Sequence, residues 1–156
     1  MSSNIIDPVL AAAKQRARED YLPYAGALTP VEAYTLLQHD TKVLLVDVRT
    51  RAECDWIGRA ILPEAQHAAI EWTQYPGGAR NPNFLAQLAM LATTQRTLLF
   101  LCRSGVRSRF AATLAAANGY QHCMDILEGF EGDKDGAGHR KTVNGWCVAG
   151  LPWVGA

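Results

Sequence analysis

Hydrophobic positions along the chain gather into three short, nearly continuous runs: Lys42 to Val48 (KVLLVDV), Arg96 to Leu101 (RTLLFL) and Cys123 to Leu127 (CMDIL). Runs of this length without polar alternation predict strands buried on both faces. Around them the period changes to that of helices. Asn83 to Ala92 and Val106 to Asn118 read as helices, the second stopped by Gly119. Asp7 to Tyr21 reads as another, with Asp7 as N-cap and Pro8 at the first helical position. After a short link containing Pro23 and Gly26, Thr29-Pro30-Val31-Glu32 opens a further helix that ends near His39. Strands alternating with helices predict an α/β domain: a central, mostly parallel sheet with helices on both faces. Functional residues of such sheets belong at the carboxyl ends of the strands. Two turn-rich loops, Gln74 to Asn83 and Gly129 to Gly145, are long enough to be functional or mobile.

Composition narrows the class without changing this picture. The 156 residues suit one compact domain, and 49% hydrophobic with 19% charged residues is globular usage. Fifteen basic and fifteen acidic residues cancel, so no global field draws the chain to nucleic acid or to anionic lipid. No stretch has the length of a transmembrane span, and the N-terminus lacks a basic region followed by an apolar one, so a cytoplasmic protein is expected. Cys54, Cys102, Cys123 and Cys147 show neither CxxC spacing nor the density of a disulfide-stapled domain. They point to a reduced compartment and at least one working thiol. No metal or cofactor is expected, since His122 beside Cys123 is the one close histidine–cysteine pair.

The chemistry concentrates at Cys102. A buried strand ends there, a short loop follows, and a helix starts near Val106. A thiol at the carboxyl edge of a sheet and over a helix N-terminus meets unpaired N–H groups and the positive end of the helix dipole, which favour an anion over the ordinary thiol with its pKa of about 8.5. Arg103 and Arg107 add positive charge, and Gly105 lets successive N–H groups curl inward as a nest. Such a cradle suits covalent transfer in which the sulfur of Cys102 attacks a sulfane donor, carries the transferred atom as a persulfide and yields it to a nucleophile.

At this point the sequence resembles the rhodanese homology family. LLVDVRTRAE is similar to the family's first strand ending in Asp47-Val48-Arg49 with Glu53 a turn later, and CRSGVRS to its active-site loop. Leu127-Glu128-Gly129 and the later Gly145, Trp146 and Gly150-Leu151-Pro152 resemble its closing elements. The resemblance implies a three-layer domain with a five-stranded sheet over 29–156, preceded by an N-terminal helical extension over 1–28. It also implies a thiosulfate sulfurtransferase-like enzyme with Cys102 as the catalytic residue and Arg103, Ser104, Gly105, Val106 and Arg107 as the substrate-binding loop. Where the family often has Gly-His-Ile-Pro-Gly-Ala, this chain has Gly58-Arg59-Ala60-Ile61-Leu62-Pro63-Glu64-Ala65, without the histidine. Related phosphatases place five residues between cysteine and arginine; four separate Cys102 from Arg107, a tighter ring that fits a sulfur atom better than a phosphate.

The expected partners are a small anionic sulfur donor such as thiosulfate and an acceptor that is cyanide, a thiol or a thioredoxin-like protein. A slow persulfide carrier serving one protein partner is the alternative, and a cysteine-dependent phosphatase or arsenate reductase ranks below both. Asp47 and Arg49 are expected to pair structurally, Glu128 and Asp133 to border the pocket at most, and Cys147 is the best of the remaining cysteines for a resolving thiol. Trp146 is as suited to walling the pocket as to the core, whereas Trp72 suits the core. The segment from Glu131 to Asn144 would narrow acceptor choice if it folded over Cys102.

Overall fold

The computed structural model describes residues 3–155. In chain order the elements are α1 (Ser3–Glu19), β1 (Gly26–Leu28), α2 (Pro30–His39), β2 (Leu44–Asp47), α3 (Arg51–Ile57), β3 (Arg59–Ala60), β4 (His67–Ala69), α4 (Phe84–Leu91), β5 (Leu98–Leu101), α5 (Arg107–Ala117), β6 (Cys123–Ile126) and β7 (Trp153–Val154). Five strands form one sheet in the order β1-β6-β5-β2-β4, every pair parallel. The three strands expected from the hydrophobic runs are its centre. Their fully buried pattern follows from helices on both faces, because a parallel sheet leaves neither side to water.

Alternate residues of each strand feed two cores. Leu44, Val46, Leu98, Phe100 and Cys123 pack with Phe84 and Leu88 of α4 and with Ala111, Ala112 and Ala115 of α5. Leu45, Leu99, Leu101, Met124 and Ile126 pack on the other side with Ala13 of α1 and with Ala33, Leu36 and Leu37 of α2. Small alanines along α5 let that helix lie close on the sheet, which fixes where its N-terminus meets the end of β5.

Differences from the sequence reading lie in short elements. The first helix begins at Ser3, so Asp7 is not its N-cap and Pro8 sits inside it. As the sixth residue from Ser3, Pro8 forfeits one intrahelical bond, the one its N–H would have made to the Asn4 carbonyl. The link around Gly26 contains the edge strand β1, whose identity comes from pairing with β6 and not from its three residues. A Cβ on Gly26 would come within 2.9 Å of the Ala13 carbonyl oxygen, so glycine lets α1 lie against this strand. Arg16 completes that docking with a bidentate pair to Glu32 of α2 at 2.6 and 3.1 Å and a bond to the Ala27 carbonyl. α2 and α3 both open on capping boxes, Thr29 with Glu32 and Thr50 with Glu53. β3 and β7 make a two-stranded antiparallel ribbon outside the main sheet.

Candidate active site

β5 delivers the chain to Cys102, and α5 leaves from Arg107 with Val106 at its N-cap. Cys102 is 1% exposed, and its Sγ accepts a hydrogen bond from the Gly105 N–H at 3.1 Å. That inward turn needs Gly105, whose φ is +99°, a conformation other residues rarely adopt. The loop is held from behind by the segment after β6. Phe130 N–H donates to the Cys102 carbonyl at 2.8 Å, and the N–H groups of Glu131 and Gly132 both donate to the Arg103 carbonyl. Gly129, at φ +69°, runs so close that a Cβ there would fall 2.4 Å from the Arg103 carbonyl carbon. The Cys102 and Arg103 carbonyls are thus turned to these donors, and the Gly105 N–H to the sulfur.

The two loop arginines differ. Arg107 forms a bidentate pair with Glu53 of α3 at 2.6 and 2.8 Å, so its charge is spent within the protein. Burial works against the Glu53 charge, but the Arg107 guanidinium and the Thr50 backbone and hydroxyl outweigh it and hold the carboxyl at about 2. Arg103 is exposed and its side chain makes no hydrogen bond or ion pair among the described residues. A cavity of about 400 Å³ opens beside the loop, lined by Arg103, Arg107, Glu53, Thr50, Trp56 and Tyr75 among others. Its outer wall comes from the loop around Gln74 and Gly78. The segment from Glu131 to Asn144 contributes none of the lining; it closes on itself through Lys141, Arg140 and Asn144, and it meets the back of the Cys102 loop through the Glu131 and Gly132 N–H groups. Ser104 is half-buried and Val106 exposed, which leaves both at the rim.

A larger cavity of about 600 Å³, along Asp47, Cys54, His67, Glu71 and Asn81, contains no residue of the Cys102 loop. Asp47 and Arg49 at its base form a buried ion pair at 2.7 Å, and Arg49 also reaches the Gly58 carbonyl, which is the structural role expected of them. Trp146 is fully buried, donates Nε1–H to the Pro152 carbonyl and packs edge-on against Tyr34, so it belongs to the core and not to the pocket wall. Trp72 packs on Phe84. Glu128 accepts from the Gly145 N–H, and Asp133 pairs with Asn144. All four cysteines are free. Burial pushes the Cys54 thiol up to about 12, with the Asp47 charge adding to it, and the Cys123 and Cys147 thiols to about 11. Cys147 packs in the core on the opposite face of the sheet from the cluster that holds Cys102.

Two polar residues behind the sulfur were not singled out from the sequence. Ser108 in the first turn of α5 places Oγ 3.3 Å from Cys102 Sγ and donates to Asp125 Oδ1. Their signal is a lone carboxylate inside the otherwise apolar run CMDIL, in a strand buried at every position.

Among the described residues no group of three metal-ligating side chains is placed to hold an ion, and no helix is long and apolar enough to cross a membrane. Fold and loop together define a parallel α/β domain with a cysteine at the strand-to-helix turn, its sulfur bonded to the Gly105 N–H. The model of the rhodanese-like domain matches residues 29–135, and the chain belongs to that family. It is 34% identical over 122 residues to an uncharacterized protein of Rickettsia prowazekii, covering 78% of this chain and 91% of that one. A crystal structure of a protein from M. tuberculosis superimposes with a TM-score of 0.77 at 39% identity, over 84% of this chain and 98% of that chain. The polysulfide-sulfur transferase homodimer of Wolinella succinogenes shares the fold, with a TM-score of 0.58 at 16% identity over 97% of this chain and 85% of that one.

Proposed function

We propose that this protein is a sulfurtransferase that carries a sulfane sulfur on Cys102. The observation that supports this reading best is the seat of the sulfur, held by the Gly105 N–H at the carboxyl end of β5 with the loop carbonyls turned away. Fixed donors around a sulfur stabilise a thiolate and, one atom further out, a persulfide anion, without reorganising during the reaction.

In the first half-reaction the Cys102 thiolate attacks the outer sulfur of a donor such as thiosulfate. A new S–S bond forms, the donor's S–S bond breaks, and sulfite leaves with the electron pair. In the second, a nucleophile such as cyanide or a thiolate takes the terminal sulfur and Cys102 departs as the thiolate. Charge is conserved in both steps. With Arg107 neutralised by Glu53, Arg103 at the cavity beside the loop supplies the free positive charge that draws an anionic donor, and Ser104, Gly105 and Val106 carry the chain from it to the start of α5 around the sulfur.

The test is intact mass after thiosulfate treatment, with thiocyanate release from cyanide assayed alongside, for wild type and Cys102→Ser. Wild type is expected to gain one sulfur and turn over, and the variant to do neither. Sulfur gained without turnover would leave a persulfide carrier in place of an enzyme. No gain in wild type would overturn the reading.

A further inference from the structure

The sulfur of Cys102 has a second polar neighbour besides the Gly105 N–H. Ser108 is fully buried with its Oγ 3.3 Å from Sγ, and its hydroxyl is hydrogen-bonded to Asp125 Oδ1. Asp125 lies in the middle of β6, fully buried, on the strand face that carries Cys123 toward α5. It forms no ion pair, and Oδ2 has no hydrogen-bond partner among the described residues. Of the elements packed around it, β1 (Gly-Ala-Leu) presents no titratable group. Tyr24 faces it from the segment before that strand, Arg109 from α5, Cys102 from the end of β5 and Cys123 from its own strand. Arg109 is held to the Gly105 carbonyl and acts on Asp125 only through space.

A carboxylate placed in an apolar strand with one oxygen unpaired is costly unless its protonation is used. We propose that Cys102, Ser108 and Asp125 form a buried proton relay that converts the resting thiol into the attacking thiolate. The proposal rests on the sulfur-transfer reading above and assigns the group that brings a resting thiol into that cycle as the thiolate.

The step moves one proton and no electrons. The thiol S–H donates to Ser108 Oγ while the Ser108 O–H donates to Asp125 Oδ1. As the proton leaves sulfur for Ser108 Oγ, the Ser108 proton passes to Asp125. The product is a thiolate accepting from the Ser108 hydroxyl, which in turn accepts from a neutral Asp125 acid. The charge that stood on a buried carboxylate with one unpaired oxygen now stands on sulfur, beneath the Gly105 N–H. Burial, opposed by the Ser108 bond and the Arg109 charge, pushes the Asp125 carboxyl up to about 7, so it can hold a proton where an exposed aspartate could not. Reversal of the same flips returns the proton to sulfur when no donor is bound. Ser108 touches the reacting atom; Asp125 acts through it.

The experiment is the rate of Cys102 alkylation by iodoacetamide as a function of pH, read by peptide mass so that the other cysteines do not contribute. It is run on wild type, Asp125→Asn, Ser108→Ala and Ser108→Thr, with persulfide loading by thiosulfate measured on the same samples. The relay predicts that Asp125→Asn and Ser108→Ala move the profile to higher pH and lower the rate near neutrality by about tenfold, one unit of displaced titration. Ser108→Thr, which keeps the hydroxyl, restores the wild-type profile. An unmoved profile in both deletion variants overturns the relay. So does a shift to lower pH in Asp125→Asn, the result expected if the carboxylate only repels a thiolate. Should Asp125→Asn fail to fold by circular dichroism, Ser108→Ala against Ser108→Thr decides alone. Failure of the sulfur-transfer reading shows differently: wild type would then alkylate at Cys102 with an Asp125-dependent profile and still gain no sulfur.

Discussion

Replacing Asp125 by asparagine should make the protein more stable in alkaline buffer while impairing the sulfur transfer proposed for Cys102. Unfolded, Asp125 ionises near its ordinary 3.8; folded, burial raises this to about 7. A raised folded value means that the native state holds the proton more tightly, so stability is fully present below the unfolded value and is lost as pH rises through the folded one. The gap of roughly three units, at about 1.4 kcal/mol each, makes the ionised group a burden of about 4 kcal/mol above neutrality. Asparagine keeps an oxygen for the Ser108 hydroxyl and has no charge to bury. Between about pH 5 and about pH 8 roughly two of those units are traversed, so the advantage of the variant should grow by about 3 kcal/mol. Urea titrations of both proteins at the two pH values measure it, and comparing the proteins at each pH cancels the other titrating groups. A difference that does not grow with pH would refute the reasoning, because it would mean that the Asp125 carboxylate is already ionised and satisfied in the fold. Gain of stability with loss of thiolate formation is the signature expected of a functional group kept at a structural cost.

Two further outcomes follow from the geometry of the loop. Gly129→Ala, forced to place a Cβ 2.4 Å from the Arg103 carbonyl carbon at φ +69°, should lose about 2–4 kcal/mol by thermal unfolding and abolish persulfide loading, whereas Gly138→Ala, at φ +82° with nothing within 4 Å and away from the cavity, should cost only about 1 kcal/mol and leave loading intact. Glu53→Gln keeps the cap on Thr50 but frees Arg107, so the KM for thiosulfate should fall several-fold in steady-state assays, and the stability that wild type loses as pH drops from 4.5 toward about 2 should be missing from the variant at every pH.

Much of the frame was legible in the chain. KVLLVDV, RTLLFL and CMDIL are apolar throughout because both faces of a parallel strand are covered, and that requirement shows in any window of sequence. Thr29 and Glu32 announce a helix start for a similarly local reason, as Gly119 does a stop. Cys102 could be placed at a strand end before a helix because its neighbours on both sides follow these patterns. β1, α3 and β4 were not legible, since three to seven residues hold their shape only through partners far along the chain. The same limit applies to Pro8, where a helix start that looks complete locally is extended by one turn in the fold.

At the site, the sequence by itself placed Cys102 at a strand end before a helix, with its glycine and the supply of positive charge, because these are properties of one contiguous loop. Only the tertiary structure decided what each charge does. Arg107 is neutralised by Glu53 from 54 residues away, while Arg103 remains free. Trp146 goes to the core, and the loop around Gln74, not the segment from Glu131 to Asn144, walls the cavity. Above all, Asp125 meets Ser108 across the interface of β6 and α5, a contact set by how closely the alanines of α5 approach the sheet. Periodicity reports which face a residue occupies. The group it will meet there depends on the register of elements brought together only by folding, and so does the proton affinity of a buried carboxyl.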